Sequence, residues 1–137
     1  MVKYSTTSRV GKGYEMMVVS SLLQNLDKQY DVYLPAVDDN GCDVVIINSE
    51  NNKIAKIQIK AKHDGETLRF GNIKRQAPDK TLFLFYSQEQ WSLIPRTEFN
   101  FSQESTSKGI SVSVERFNKF ALTNIHDISG KIKEILR

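Results

Sequence analysis

The N-terminal part of the chain carries apolar residues at the spacing of a helix. Between Ser8 and about Leu26 they recur at steps of three and four, which is the period of one face of an amphipathic helix. The positions are Val10, Tyr14, Met17, Val18, Leu22 and Leu26. Serine caps helix N-termini well, so we expect this helix to begin at Ser8.

After residue 29 the pattern changes to that of β-strands. "YDVYLPAV" predicts a strand closed by Pro35, "CDVVIIN" predicts a second strand, and "KIAKIQIKAK" predicts a third in which apolar and polar residues alternate. Because "SENN" is short enough to be a turn, the second and third strands are expected to be antiparallel neighbours. The three strands together predict a meander.

The next segment predicts a short helix and two further strands. "GNIKRQA" can form a helix after Gly71, "TLFLFYS" indicates a buried strand by its continuous apolar run, and "QWSLIP" indicates a strand ended by Pro95. This completes a core of about residues 9–95.

A polar segment, "SQESTSKG", separates this core from a C-terminal extension of about residues 103–137. Within the extension, "ISVSV" alternates, while "ERFNKFAL" and "NIHDISGKIKEILR" have helical spacing, the latter interrupted by Gly130. We expect the extension to pack back on the core, so that residues 1–137 form a single domain.

Composition and charge narrow the class of protein. The chain has 39% hydrophobic and 26% charged residues, as globular domains do. No apolar run is long enough to cross a bilayer and the N-terminus lacks the apolar stretch of a secretory signal, so we expect a cytoplasmic protein. A net charge of +3 permits contact with nucleic acid without demonstrating it. Cys42, with His63 and His126 scattered, makes no zinc motif and is expected to be a small core residue.

One acidic residue falls on the apolar side of the predicted helix. On a helical wheel, Glu15 lies between Leu22 and Leu26, near the middle of the apolar arc. A carboxylate there needs water, a cation or a metal ion, because an unpaired buried charge is costly. The alternative is that Glu15 stabilises the positive end of the helix dipole.

Three polar residues on the predicted hairpin are expected to converge. Asp43 begins a strand whose other residues are apolar, so it either caps the strand or holds a cation. Gln58 and Lys60 point to one side of the next strand while Ile57 and Ile59 point to the other, and alone they would be a solvated face. The hairpin changes that reading because it brings Asp43 opposite them.

This combination has the chemistry of phosphodiester hydrolysis. Mg²⁺ takes oxygen ligands from one or two carboxylates and completes its shell with water and phosphate. Asp43 offers a carboxylate, while the side chain of Gln58 and the main-chain carbonyl of Ile59 offer neutral oxygens. Lys60 could orient a water and offset charge on the phosphate, and Glu15 could hold a metal-bound water or a second ion.

The segments "GKGYE", "GCDVVI" and "IQIKAK" resemble the PD-(D/E)XK nuclease superfamily, which includes restriction endonucleases and Holliday-junction resolvases. The resemblance covers about Arg9 to Pro95 and implies an α/β fold with an α-β-β-β-α-β core, in which helices flank a central mixed sheet. It implies that Glu15 is the helix glutamate, Asp43 the strand aspartate, and Gln58 with Lys60 the (D/E)-X-K pair. It also implies a Mg²⁺ or Mn²⁺ cofactor and a DNA substrate, branched, modified or foreign.

Gln58 departs from the family pattern, because an amide brings no charge to a metal ion. Members resembling methylation-dependent restriction enzymes carry Q-x-K here, so an active endonuclease is the leading hypothesis. A nuclease-like domain that binds DNA or a protein without cutting is the second hypothesis. The third is an unrelated binding domain with a solvent-facing lysine row.

Basic residues on both sides of the expected site could hold DNA through its phosphates. They are Arg9, Lys12, Lys62, Arg69, Lys74 and Arg75, each of which could equally serve solubility. The aromatic residues lie in apolar strand patterns and are expected in the core rather than stacked on bases. We also expect a homodimer, since cutting both strands calls for two sites, with the C-terminal helix as a possible interface.

Overall fold

The computed structural model describes residues 6–35, 42–62, 68–70, 81–99, 105–106 and 109–137. The helices in this part are α1 (Thr6–Asn25), α2 (Val114–Lys119) and α3 (Asp127–Ile135), with a 3-10 turn at Arg96–Glu98. The strands are β1 (Tyr30–Tyr33), β2 (Val44–Asn48), β3 (Lys53–Lys62), β4 (Arg69–Phe70), β5 (Thr81–Ser87), β6 (Gln90–Pro95), β7 (Ser105–Thr106), β8 (Gly109–Ser111) and β9 (Ala121–Leu122).

Six strands form the main sheet in the order β1-β2-β3-β5-β6-β9. β3 and β5 are parallel and every other neighbouring pair is antiparallel, so the predicted meander of the first three strands is confirmed. The hairpin pairs Val44 with Ile57, as a turn at "SENN" requires. The predicted helix after Gly71 lies outside the described residues.

Each face of the main sheet has its own apolar core. The first core lies under α1 and α3 and includes Val18, Leu22, Ile57 and Ile59. The second lies on the opposite face and contains Phe83 and Phe85, covered by α2 and by a small sheet of order β4-β8-β7. The side chains of β3 alternate between these two cores, so its polar row belongs to the second face. The prediction that the aromatic residues are core residues is confirmed for Phe70, Phe83, Phe85 and Trp91.

The C-terminal extension packs back on the core, as predicted. Ile128, Ile132 and Leu136 are buried in the first core, and β9 extends the main sheet beyond β6. The Nδ2 atoms of Asn48 and Asn51 each donate a hydrogen bond to the carbonyl of Leu136 at 2.9 Å. The turn of the β2–β3 hairpin therefore satisfies a carbonyl left open at the end of α3.

Some local predictions were wrong. The first helix begins at Thr6, so Ser8 lies inside it and is not its N-cap. Met17 is 49% exposed, because the apolar arc of α1 is wider than the face that reaches the sheet. Gly130 does not interrupt α3, since packing of the flanking isoleucines outweighs the weak helix propensity of one glycine. Cys42 is buried, as predicted.

No helix in the described part of the chain is long and apolar enough to span a membrane.

Candidate functional site

Asp43 continues the hydrogen bonding of the hairpin beyond the start of β2. Its backbone N–H donates to the carbonyl of Ile57 at 2.8 Å, and its carboxylate Oδ2 accepts from the N–H of Ile59 at 2.7 Å. The carboxylate thus takes the place of the next backbone acceptor and is held against β3. It is half-buried.

The regular pairing of the hairpin ends at Val44 and Ile57, and the bonds from Asp43 to Ile57 and Ile59 place Asp43 beside the stretch of β3 that contains Gln58. Gln58 is 2% exposed, and its Oε1 has no hydrogen-bond partner among the described residues. Because an unsatisfied buried polar atom costs about 1–3 kcal/mol, this oxygen is suited to an additional ligand. The interpretation of this polar row as a plain solvated face is wrong at Gln58.

Lys60 and the carbonyl of Ile59 extend the same site toward the end of β3. Lys60 follows Gln58 by two residues, so it projects from the same face about 7 Å further along, and it is half-buried. The N–H of Ile59 points toward Asp43. Since the N–H and C=O of one strand residue face the same neighbour in an antiparallel pair, the Ile59 carbonyl points to this side too.

Glu15 is placed at the same end of the sheet by its neighbour Tyr14. The ring of Tyr14 stacks on that of Tyr86 with centroids 4.3 Å apart, and Tyr86 is level with Ala61 near the end of β3. The Glu15 carboxylate is paired with Lys12 at 3.3 Å and is 29% exposed.

The helical wheel also gives the direction in which Glu15 faces. Ser21 is on the flank of α1 toward α3, where its Oγ is 2.8 Å from Nδ1 of His126. Glu15 lies about 120° round the helix from Ser21 and about 20° from Leu26, which lines a cavity with Tyr30 of β1. Glu15 therefore lies on the same side of α1 as Leu26, and α1 covers the face of the sheet opposite to that of Gln58 and Lys60.

The donor set suits a hard cation with few protein ligands. Asp43 supplies one carboxylate, and Gln58 and Ile59 supply neutral oxygens on the same side. Within the described ranges, no group of three or more His, Cys, Asp and Glu residues could hold a metal ion. A cation here would therefore keep several water or phosphate ligands, which is the habit of Mg²⁺.

The structure places part of the predicted DNA-binding set. Arg9 is exposed on α1, and the side chain of Lys12 is 49% exposed beside Glu15. The backbone of Lys62 ends β3 and that of Arg69 begins β4, but their side chains are outside what the structure describes. Lys74 and Arg75 lie outside the described residues altogether.

The comparisons with known proteins identify the fold. The chain has the restriction endonuclease-like fold of the PD-(D/E)XK nucleases, which confirms the predicted fold class. A bacterial homing endonuclease superposes with a TM-score of 0.54 at 17% identity, over 97% of this chain and 99% of that one. The Holliday junction resolvase of the archaeal hyperthermophile Archaeoglobus fulgidus gives 0.53 at 12% identity, over 84% and 99%. No family profile and no curated protein matches the sequence.

A feature near the site that the sequence prediction overlooked is the tight β5–β6 hairpin. It has a two-residue tip, Gln88 and Glu89. The tip lies at the end of the sheet where β3 ends, close to Lys60. The signal in the sequence was a polar "SQEQ" between two apolar runs.

Proposed function

We propose that the protein is a metal-dependent endonuclease that hydrolyses phosphodiester bonds in DNA. The observation that carries the proposal is the buried Gln58 Oε1 without a partner in the described part of the chain, next to Ile59, whose N–H bonds the carboxylate of Asp43. The restriction endonuclease-like fold supports it, because both structural neighbours are DNA-processing proteins by name, a homing endonuclease and a Holliday junction resolvase.

The proposed cofactor is Mg²⁺ or Mn²⁺, held by Asp43, Gln58 and the carbonyl of Ile59, with Glu15 at its water ligands. When bound, it would supply Lewis-acid polarisation of the phosphodiester. Asp43 is held in place for this role by its hydrogen bond from the N–H of Ile59.

Lys60 and Glu15 would act on the attacking water. The Lys60 ammonium would orient this water and offset the negative charge that builds on the phosphate oxygens. This electrostatic stabilisation is stronger at a half-buried position than in water, because the effective dielectric constant is lower there. Glu15 would accept a hydrogen bond from the water and so align it with the phosphorus atom. Lys12, one turn earlier on α1, holds the Glu15 carboxylate at 3.3 Å.

The proposed partner is DNA, branched or modified, held by phosphate contacts from Arg9, Lys12, Lys62, Arg69, Lys74 and Arg75. Such contacts predict an affinity that falls steeply with salt. A homodimer remains our prediction. The apolar face of α3 is buried in the first core, so little of that helix is left for an interface. Exposed apolar side chains on α1 and β1, namely Met16, Leu23 and Tyr33, are better suited to it.

The second candidate function is a domain that binds DNA without cutting it. It is favoured by Gln58, since a single carboxylate attracts a divalent ion more weakly than two. Titration with Mn²⁺ separates the two candidates, because an active site must bind the ion through Asp43, whereas a pure binding domain need not.

The experiment is a cleavage assay on linear, single-stranded, supercoiled and four-way-junction DNA with Mg²⁺ or Mn²⁺. Asp43→Asn is the informative variant, since its amide oxygen can still accept from Ile59 while the charge is lost. Asp31→Asn on the exposed side of β1 is the matched control. We expect cleavage by wild type and control and a loss of about 100-fold or more in Asp43→Asn. A wild type that binds every substrate and cuts none would support the second candidate instead.

A further inference from the structure

The two residues at the tip of the β5–β6 hairpin have a backbone conformation that is unfavourable for their side chains. Gln88 and Glu89 form its two-residue tip with φ angles of 50° and 63°. Positive φ at both positions is what a type I′ turn requires, and Asn-Gly is the preferred pair there because other residues pay a steric cost. A chain that keeps two long polar residues at such a tip forgoes stability, and strain of this kind tends to persist at functional sites.

The tip stands beside the candidate active site. Ser87, at the end of β5, is level with Lys62, and Phe85 is level with Lys60. The tip therefore projects about 10 Å beyond Lys60 at the same edge of the sheet. Ser87 is 2% exposed and its Oγ has no partner in the part of the chain that the structure describes, so a second unsatisfied polar atom lies on the face of Gln58.

The base of the hairpin is held rigidly. Tyr86 packs between Tyr14 and Trp91, with ring centroids 4.3 and 4.7 Å away. Tyr14 comes from α1, next to Glu15. The packing of these three rings fixes the base of the hairpin relative to α1, the helix that carries Glu15. The backbone of the tip is therefore held in a defined position.

We propose that the tip of the β5–β6 hairpin, Gln88 and Glu89, reads base edges of DNA held at the Asp43–Lys60 site and so determines where that site cuts. The inference rests on the proposed function. The amide of a glutamine matches the N6 and N7 groups of adenine, and a carboxylate accepts from the N4 amino group of cytosine. Glu89 is repelled by phosphates, which favours contact with bases over contact with the backbone.

The test replaces the tip by its preferred pair, in the double variant Gln88→Asn with Glu89→Gly. The midpoint of thermal unfolding should rise by about 2–6 °C, because the strain is relieved. The variant therefore stays folded, and any loss of function cannot be attributed to misfolding. Wild type and variant are incubated with a library of duplex DNA of random sequence and Mn²⁺, and the cut ends are sequenced.

We expect the wild type to prefer particular bases near the cut, and the variant to lose about 5- to 100-fold of that preference while total cleavage changes by less than about threefold. Asn52→Gly is the control, since Asn52 has a φ of 62° in the turn at the opposite edge of the sheet, and it should leave the preference unchanged. A variant that is more stable but cuts with the wild-type preference overturns the inference. A wild type that cuts without any preference also overturns it, whereas a wild type that does not cut at all overturns the proposed function first.

Discussion

Gln58→Glu is the substitution whose effect follows most directly from the geometry of the site. It places a second carboxylate near that of Asp43, which is bonded to the N–H of the neighbouring Ile59, at a position that is 2% exposed. Two charges about 5 Å apart repel by about 3 kcal/mol at an effective dielectric constant of about 20. The introduced side chain can escape by taking up a proton, which costs about 4 kcal/mol at pH 7 from its usual pKa of about 4.3. The smaller of the two costs sets the loss, so the free energy of unfolding should fall by about 3 kcal/mol.

The pH dependence of this loss has a definite sign. The repulsion raises the pKa of the introduced carboxyl in the folded state above its unfolded value, so the folded state binds the proton more tightly. The variant should therefore match wild type near pH 4, and the difference should grow as pH rises above about 4.3 until the raised folded pKa is passed.

A divalent cation should reverse the loss at pH 7. A site with two carboxylates binds the ion more tightly than one with a carboxylate and an amide, and an ion at about 100 times its Kd stabilises the folded state by about 2.7 kcal/mol. The assay is thermal unfolding of wild type and variant with and without Mn²⁺, at pH 4 and pH 7. Gln58→Met is the matched control, which removes the unsatisfied oxygen and should keep stability while abolishing the response to Mn²⁺. Equal stability of Gln58→Glu and wild type at pH 7 without metal would refute the placement of the Gln58 side chain near the carboxylate of Asp43.

Three other predictions concern stability. Asp43→Ala should lower the free energy of unfolding by about 1–2 kcal/mol, since the buried N–H of Ile59 loses its acceptor, whereas Asp43→Asn should cost less; urea unfolding distinguishes them. Asn48→Ala should cost about 1–2 kcal/mol by the same measurement, because the Leu136 carbonyl loses a buried donor, and no change would argue against that capping bond. Burial raises the pKa of the Cys42 thiol, so stability should fall as pH rises above the unfolded value of about 8.5, and Cys42→Ala should flatten that decline in unfolding measured from pH 7 to 10.

The sequence was sufficient for five of the six strands of the main sheet, whereas β9 lies in "ERFNKFAL", which was expected to be helical. Alternation along "KIAKIQIKAK" and the short turn "SENN" predict both the faces and the register of the β2–β3 hairpin from Val44 and Ile57 to Asn48 and Lys53. The register breaks at Asp43, whose N–H bonds to the carbonyl of Ile57. The continuous apolar run of β5 likewise indicated a strand covered on both faces.

Two features that could not be predicted from the sequence, the small sheet and the burial of Gln58, depend on packing between segments that are far apart in the chain. The small sheet joins strands of two or three residues from segments about 40 residues apart, which are too short to carry a periodic signal. That sheet and the second core cover the polar face of β3, so the burial of Gln58 could not be read from its alternation. Alternation shows which face a side chain is on, but not what lies over that face.

The proposed active site depends most on a catalytic role for Lys60. The chain offers a second lysine on the same strand as a matched control for that role. Lys56 lies on the same face of β3, about 13 Å from Lys60, level with Thr81 at the other end of the strand. The decisive measurement is the single-turnover rate of cleavage of supercoiled and four-way-junction DNA with Mn²⁺ for wild type, Lys60→Met and Lys56→Met. We predict a loss of about 100-fold or more in Lys60→Met and a change of less than about threefold in Lys56→Met. Equal rates for the two variants would contradict the assignment of the active site to the end of β3.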